Sequence, residues 1–321
     1  MNAENRIAAA VSRPLGKFQD PDWTAKGESR ATGPFNRLDT LWLNTGTLCN
    51  ITCQACYIES SPTNDRLVYL TAAEATAFYD EIVDKRLGTR EIGITGGEPF
   101  MNPDIVAIIE GALSRGFEVL VLSNAMQPMQ RPRLKKELLR LKGVYAARLH
   151  LRISLDHHTM ELHEKERGPR TWAKALEGID WLARAGFQIA IAGRTCWGES
   201  EAAARESYAA LFSASRSELH LLPEMNEAAE VPEITNACWG ILKKRPEQIM
   251  CATSRMVVKR KGADRPTVVP CTLIPYQPAF DMGPTLTAAA VADGGMFDKG
   301  AVKLCHVHCA KFCVLGGGSC S

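Results

Sequence analysis

Short apolar stretches and longer amphipathic ones take turns along most of this chain. Stretches 41–45, 92–95, 118–123, 149–155, 188–194 and 218–222 are short and apolar, as strands of a buried sheet are. Segments 72–87, 104–115, 132–141, 171–185, 199–213 and 234–244 carry their apolar residues at helical spacing. Thr71-x-x-Glu74 forms a capping box at the start of the first of these helices. Gly116 and Gly186 follow their helices where a left-handed cap residue belongs. Alternation of this kind predicts parallel strands joined by right-handed crossovers. Six units predict an α/β fold, a partial (β/α)6 TIM-like barrel, with functional residues at the carboxyl ends of the strands.

After residue 245 the rhythm breaks. Cys251 and Cys271 bracket two apolar stretches, 256–260 and 267–271, separated by a Lys261-Gly262 turn, the pattern of a β-hairpin. A loop-rich stretch follows, and then a tail containing Cys305, His306, His308, Cys309 and Cys313. The expected organisation is an N-terminal extension (1–38), a barrel (39–245) and a small cysteine-rich unit (246–321).

The chain has 321 residues, 45% of them apolar, enough for a large core with a small appendage. A net charge of +2 gives no global attraction to nucleic acid or to a membrane surface. The basic stretch 131–142 interleaves with Leu134, Leu138, Leu139 and Leu141, which makes it the charged outer face of a helix. No apolar run approaches the roughly 20 residues that span a bilayer. Residues 1–38 lack the apolar core of a secretion signal, so the expected compartment is the cytoplasm. Eleven cysteines, an odd number clustered at two places, point to metal ligation rather than disulfides.

The first cluster is Cys49, Cys53 and Cys56, on the loop after the first strand. Three thiolates can hold three irons of a four-iron cubane and leave the fourth open to react. A structural zinc site is the alternative, but it calls for a fourth nearby ligand that this loop does not supply. Gly96-Gly97-Glu98-Pro99 follows the second strand; two glycines permit close backbone approach, and a carboxylate could accept from an ammonium.

The C-x3-C-x2-C spacing followed by Gly-Gly-Glu-Pro resembles the radical SAM (S-adenosylmethionine) superfamily. The resemblance runs from residue 39 to residue 320 and is densest over 41–99. It implies a [4Fe–4S] cluster on Cys49, Cys53 and Cys56 that cleaves S-adenosylmethionine to a 5′-deoxyadenosyl radical, which abstracts hydrogen from a small-molecule or peptide substrate. Gly96, Gly97, Glu98 and Pro99 would line the methionine end of the cofactor, and Asn124 and Ser154 would contact it. Arg194 would pair with a carboxylate of the cofactor or substrate. The aromatic that often precedes the third cysteine is displaced here: Ala55 holds that place and Tyr57 carries the ring beside the cofactor. The stretch Glu164 to Gly168 also resembles the segment after the fourth strand in relatives.

Cys251, Cys271, Cys305, Cys309 and Cys313 look like a SPASM/Twitch extension. That implies one auxiliary [4Fe–4S] cluster, with two clusters as the runner-up and zinc, with His306 or His308, as the other metal. A flavodoxin- or ferredoxin-type reductant is the implied partner. A reading from another class is an iron–sulfur electron carrier or metal-binding protein that never cleaves S-adenosylmethionine. An electron carrier has no need of Gly96 to Pro99. Peptide maturases of this kind often carry an additional leader-binding domain, and residues 1–38 are expected to be too short for one.

Overall fold

The computed structural model describes residues 16–195, 197–212, 218–222 and 230–316. Cys196 and Cys320 lie outside the described residues.

Six parallel strands form the body of the sheet: β2 (Thr40–Asn44), β3 (Glu91–Thr95), β4 (Glu118–Ser123), β5 (Leu149–Ser154), β6 (Gln188–Arg194) and β7 (Glu218–Leu222). They lie in sequence order, and helices Ala72–Lys85, Ile105–Ser114, Pro132–Tyr145, Trp172–Arg184 and Glu201–Leu211 form the crossovers. The architecture is the expected partial (β/α)6 barrel. Thr71 and Glu74 form the capping box, and Gly116 and Gly186 take left-handed φ values of 93° and 71°. The short helix Gln127–Gln130 and the helix Met160–Arg167 are additions that periodicity did not reveal; Met160–Arg167 buries only His163 and so shows no apolar stripe.

Both faces of the sheet are covered. Leu41, Leu43, Ile92, Ile94, Val119, Val121, Leu151 and Ile153 point into the core shared with the helices. Trp42, Leu120, Met256 and Val269 point the other way and fill the barrel interior. Gly93 lies beside Trp42 in register, and a Cβ there would fall 2.5 Å from the indole, so the missing side chain is what admits that ring. The two-residue period of each strand sorts these sets.

The segment after residue 245 joins this sheet. β8 (Ser254–Val258) pairs parallel with β2, and β9 (Thr267–Val269) pairs antiparallel with β8, giving the order β7-β6-β5-β4-β3-β2-β8-β9. The hairpin read from the sequence is thus an extension of the main sheet at its β2 edge. Residues of the N-terminal stretch clasp the C-terminal one: β1 (Thr32–Gly33) pairs with β11 (Ala301–Lys303), which also pairs with β10 (Phe297–Asp298). A buried Arg30–Glu233 ion pair at 2.6 Å and the Arg30 bond to the Leu304 carbonyl at 3.2 Å hold that clasp. Among the described residues no helix is long and apolar enough to cross a membrane.

Candidate active site

The carboxyl ends of the strands open into a cavity of about 230 Å³. Cys49, Cys53 and Cys56 line it from the loop after β2, together with Tyr57, Gly96, Gly97, Asn124, Ser154 and Arg194. Residues that the sequence scatters over 145 positions therefore share one space, because parallel strands bring every β-to-α loop to the same end.

The glycines act on the protein itself. Gly96 has φ +147°, and a Cβ on it would meet the Gly46 carbonyl oxygen at 2.5 Å. A Cβ on Gly97 would fall 2.2 Å from the Leu48 carbonyl oxygen. The Gly97 N–H donates to the Gly46 carbonyl at 2.8 Å and the Glu98 N–H to the Leu48 carbonyl at 3.1 Å. The two glycines thus let the turn after β3 lie against the backbone that leads into the cysteine loop.

Glu98 and Pro99 sit behind the cavity wall. The Glu98 carboxylate is buried and accepts from the Ser123 hydroxyl at 2.9 Å, the Asn124 N–H at 2.9 Å and the Phe100 N–H at 3.2 Å. Its place is that of a brace between the turns after β3 and β4. Burial pushes its carboxyl up to about 7 against those three donors. Asn124, braced this way, donates through its side chain to the Asn50 side-chain oxygen Oδ1 at 2.9 Å.

Burial also pushes the Cys49 thiol up to about 12, with the Glu98 charge adding to the effect. The Cys53 thiol is raised too, by burial first, while the nearby Arg167 guanidinium lowers it. Buried thiols of this kind become thiolates when a metal cation replaces the proton. Three of them with one cavity and no fourth cysteine on the loop fit a three-point cluster ligand set.

Arg152, Asp156 and Arg167 also line the cavity and were not assigned roles from the sequence. The Asp156 carboxylate receives the Arg167 guanidinium at 2.7 and 3.1 Å and that of Arg194 at 3.3 Å. These two cations hold its carboxyl below the usual range despite its burial. A signal was present for two of the three: Arg152, Ser154 and Asp156 are spaced by two, so they share a side of β5 and its continuation. Arg167 comes from the end of helix Met160–Arg167, which only the tertiary fold brings to Asp156.

The distal cysteines gather beneath this cavity. Cys251, Cys271, Cys309 and Cys313 line a second, small cavity of about 20 Å³, with His308 at its edge. Cys309 and Cys313 lie on the π-type helix Cys309–Leu315. Cys305 precedes that helix, does not line the small cavity, and directs its thiol to the Met296 sulfur at 3.0 Å. His308 Nδ1 lies 3.0 Å from the Leu273 carbonyl, and His306 lies 3.3 Å from the Gln277 amide nitrogen. Cys238 receives the Thr235 N–H within its own helix start. Cys313, Met250 and Leu273 line both cavities, so these side chains form a wall shared by the two.

Among the described residues, neither cysteine group brings three of its sulfurs within 4.8 Å of one another. A single zinc with bonds of about 2.3 Å would draw its thiolates to about 3.8 Å apart. Arg255 lies against the distal group. It is 1% exposed, donates to the carbonyls of Cys251, Ser254 and Gly300 at 2.5 to 2.8 Å, and has no carboxylate partner among the described residues. Burial pulls its pKa down to about 10, while negative charge on the neighbouring Cys251 and Cys271 acts to raise it.

Residues 43–197 match the Radical SAM superfamily family model. The chain is 32% identical over 145 residues to the antilisterial bacteriocin subtilosin biosynthesis protein AlbA of Bacillus subtilis, covering 45% of this chain and 30% of that protein. It is 31% identical over 147 residues to the AdoMet-dependent heme synthase of Methanosarcina barkeri, covering 44% and 38%. The matches thus span only about a third of those relatives' own length. Among solved structures, native anSMEcpe with bound AdoMet has the same fold at a TM-score of 0.60, with 12% identity and coverage of 79% of this chain and 80% of that one. Streptococcus suis SuiB bound to its precursor peptide SuiA gives a TM-score of 0.59, with 11% identity and coverage of 80% and 65%. With its cysteine loop, glycine turn and partial-barrel strands, the segment 43–197 of this chain is a radical SAM superfamily domain.

Proposed function

We propose that this protein is an enzyme that cleaves S-adenosylmethionine reductively and acts on a small-molecule or peptide substrate. The observation that carries this reading is the convergence of Cys49, Cys53 and Cys56 with Gly96, Gly97, Asn124, Ser154 and Arg194 on one cavity. When bound, a [4Fe–4S] cluster and S-adenosylmethionine would supply a 5′-deoxyadenosyl radical able to abstract hydrogen.

The chain's own residues have the following tasks. Cys49, Cys53 and Cys56 hold the cluster. Arg194, kept in place by Asp156, offers a guanidinium to a carboxylate. Arg167, held by the same carboxylate, keeps positive charge beside the Cys53 thiolate. Leu122, Leu273 and Phe312 wall the cavity with apolar surface and exclude water from it. Cys251, Cys271, Cys309 and Cys313 hold one auxiliary cluster, with Arg255 as its counter-charge. Cys313, shared by both cavities, puts one auxiliary-cluster ligand on the wall of the main cavity. A flavodoxin- or ferredoxin-type protein supplies the reducing electron, and the reducing cytoplasm keeps the thiols free. The bacteriocin biosynthesis relative supports a peptide substrate and the heme synthase relative a small molecule.

Anaerobic reconstitution with iron and sulfide, followed by S-adenosylmethionine and dithionite, tests the reading. The wild-type protein should release 5′-deoxyadenosine, and the Cys49→Ala, Cys53→Ala, Cys56→Ala triple variant should release none. Equal release from both, or none from an iron-replete wild type, rejects it.

A further inference from the structure

A different set of ligating atoms meets at the rim of the barrel, outside the lining of both cavities. His157 and His158 follow Asp156 after β5, and Glu199 precedes helix Glu201–Leu211 after β6. One nitrogen of each imidazole and one Glu199 oxygen all lie within 4.8 Å of one another. His157 Nε2 is 3.0 Å from Glu199 Oε1, and His158 Nδ1 is 3.9 Å from Oε2. Among the described residues no lysine or arginine pairs with Glu199, so its two oxygens face the two rings. The His158 Nδ1 atom is buried with no hydrogen-bond partner among the described residues.

The surroundings fix the ligands. The two imidazoles stack at 3.9 Å, the Trp197 ring meets His157 edge-on at 4.9 Å, and Tyr208 meets His158 edge-on at 5.6 Å. Two imidazoles and a carboxylate are the donor set of a borderline divalent ion such as zinc; hard ions such as calcium and magnesium take oxygen donors. A metal-ligating histidine needs an acceptor for its other N–H. His157 Nδ1 has one in the Thr159 hydroxyl at 2.8 Å.

We propose that His157, His158 and Glu199 form a binding site for a divalent transition-metal ion, which fastens the loop after β5 to the loop after β6. On binding, the His157 proton moves from Nε2 to Nδ1 and turns to the Thr159 hydroxyl. The hydrogen bond that Nδ1 accepts from the Thr159 N–H at 3.0 Å is given up in exchange for the metal bond. The ion would hold still the two segments that carry Asp156 and Arg194, whose backbones already meet through the Arg194 N–H to Asp156 carbonyl bond at 2.9 Å. Its role is to position the guanidinium side of the main cavity. The site uses no cysteine, so it stands or falls separately from the cluster assignments.

Zinc uptake by the anaerobically purified, iron-loaded protein tests this. Wild type, Glu199→Gln and His158→Ala are dialysed against a zinc buffer and analysed for zinc and iron. Wild type should bind one zinc per chain beyond its iron. Both variants should bind it at least about 10-fold more weakly, with iron content and near-ultraviolet circular dichroism unchanged. Glu199→Gln preserves shape and His158→Ala removes a partly exposed ring, so at least one reports on a folded protein. No zinc uptake by wild type, or equal uptake by wild type and the folded variants, overturns the proposal.

Discussion

The Ala55 N–H donates to the Glu166 carboxylate at 2.7 Å, across 111 residues of sequence. The Gln54 N–H donates to the Glu166 carbonyl at 2.9 Å, so one residue grips two successive amides of the cysteine loop. Helix Met160–Arg167 thereby sets the shape of the loop between Cys53 and Cys56. Glu166→Ala should cost about 1.5–3 kcal/mol, as loss of a charge-assisted hydrogen bond does, and should lower iron bound at the front site. Glu166→Gln keeps an acceptor and should fall in between. Iron content and unfolding midpoints of the three proteins check this; an iron-replete, fully stable Glu166→Ala protein would refute it.

Asp156 is the shared anion of Arg167 and Arg194. Asp156→Asn leaves two guanidiniums at the cavity without a counter-charge, a change expected to cost about 3 kcal/mol. Binding of S-adenosylmethionine to the reconstituted protein should weaken as well, because Arg194 loses its anchor. Chemical denaturation and equilibrium dialysis read the two effects.

Gly97 and Gly143 make a contrast. A Cβ at position 97 would strike the Leu48 carbonyl oxygen, which belongs to backbone and cannot swing away. Gly97→Ala should therefore destabilise by about 1–3 kcal/mol. Gly143 lies in helix Pro132–Tyr145 with nothing within 4 Å of a built Cβ. Gly143→Ala should stabilise by about 0.5–1 kcal/mol through helix propensity alone. Thermal unfolding of both variants gives the signs.

Of the described distal cysteines, four line the small cavity and Cys305 does not. Cys251→Ala, Cys271→Ala, Cys309→Ala or Cys313→Ala should each cost the protein up to about four irons. Cys305→Ala should leave iron content unchanged, since that thiol faces Met296. Loss of iron in Cys305→Ala would move this residue into the ligand set.

His163 is buried at 1% exposure against Trp172, and neither ring nitrogen has a hydrogen-bond partner among the described residues. Burial, with the Arg167 charge assisting, pushes its pKa down to about 4 from an ordinary 6.5. Between those values the unfolded chain binds the proton and the folded one does not. Stability should hold above pH 6.5 and decline as pH falls toward 4, by about 3 kcal/mol at most. His163→Phe should flatten that slope in denaturation midpoints measured between pH 7 and pH 4.5.

The barrel was legible because its signals are local. The six strands of the barrel match the expected stretches to within a residue or so, since alternation of buried strand and amphipathic helix is written into neighbouring residues. Cys49, Cys53 and Cys56 were legible for the same reason, their spacing lying within one loop. Helix Met160–Arg167 was not: its residues are polar, and its work is to deliver Glu166 and Arg167 to other segments. Glu98 was recognised as part of the site, but the sequence could not show that Ser123 and Asn124 would occupy its oxygens.

By itself the sequence determined the order of strands and helices and the three thiols of the front loop, because hydrophobic period and ligand spacing act over a few residues. Only the tertiary structure decided that the hairpin after residue 245 would extend the main sheet, that Cys305 would face Met296 while four other cysteines line one small cavity, and that His157 and His158 would meet Glu199. Those outcomes depend on contacts between residues from 9 to 214 positions apart, whose geometry is set when the sheet twists and its loops converge.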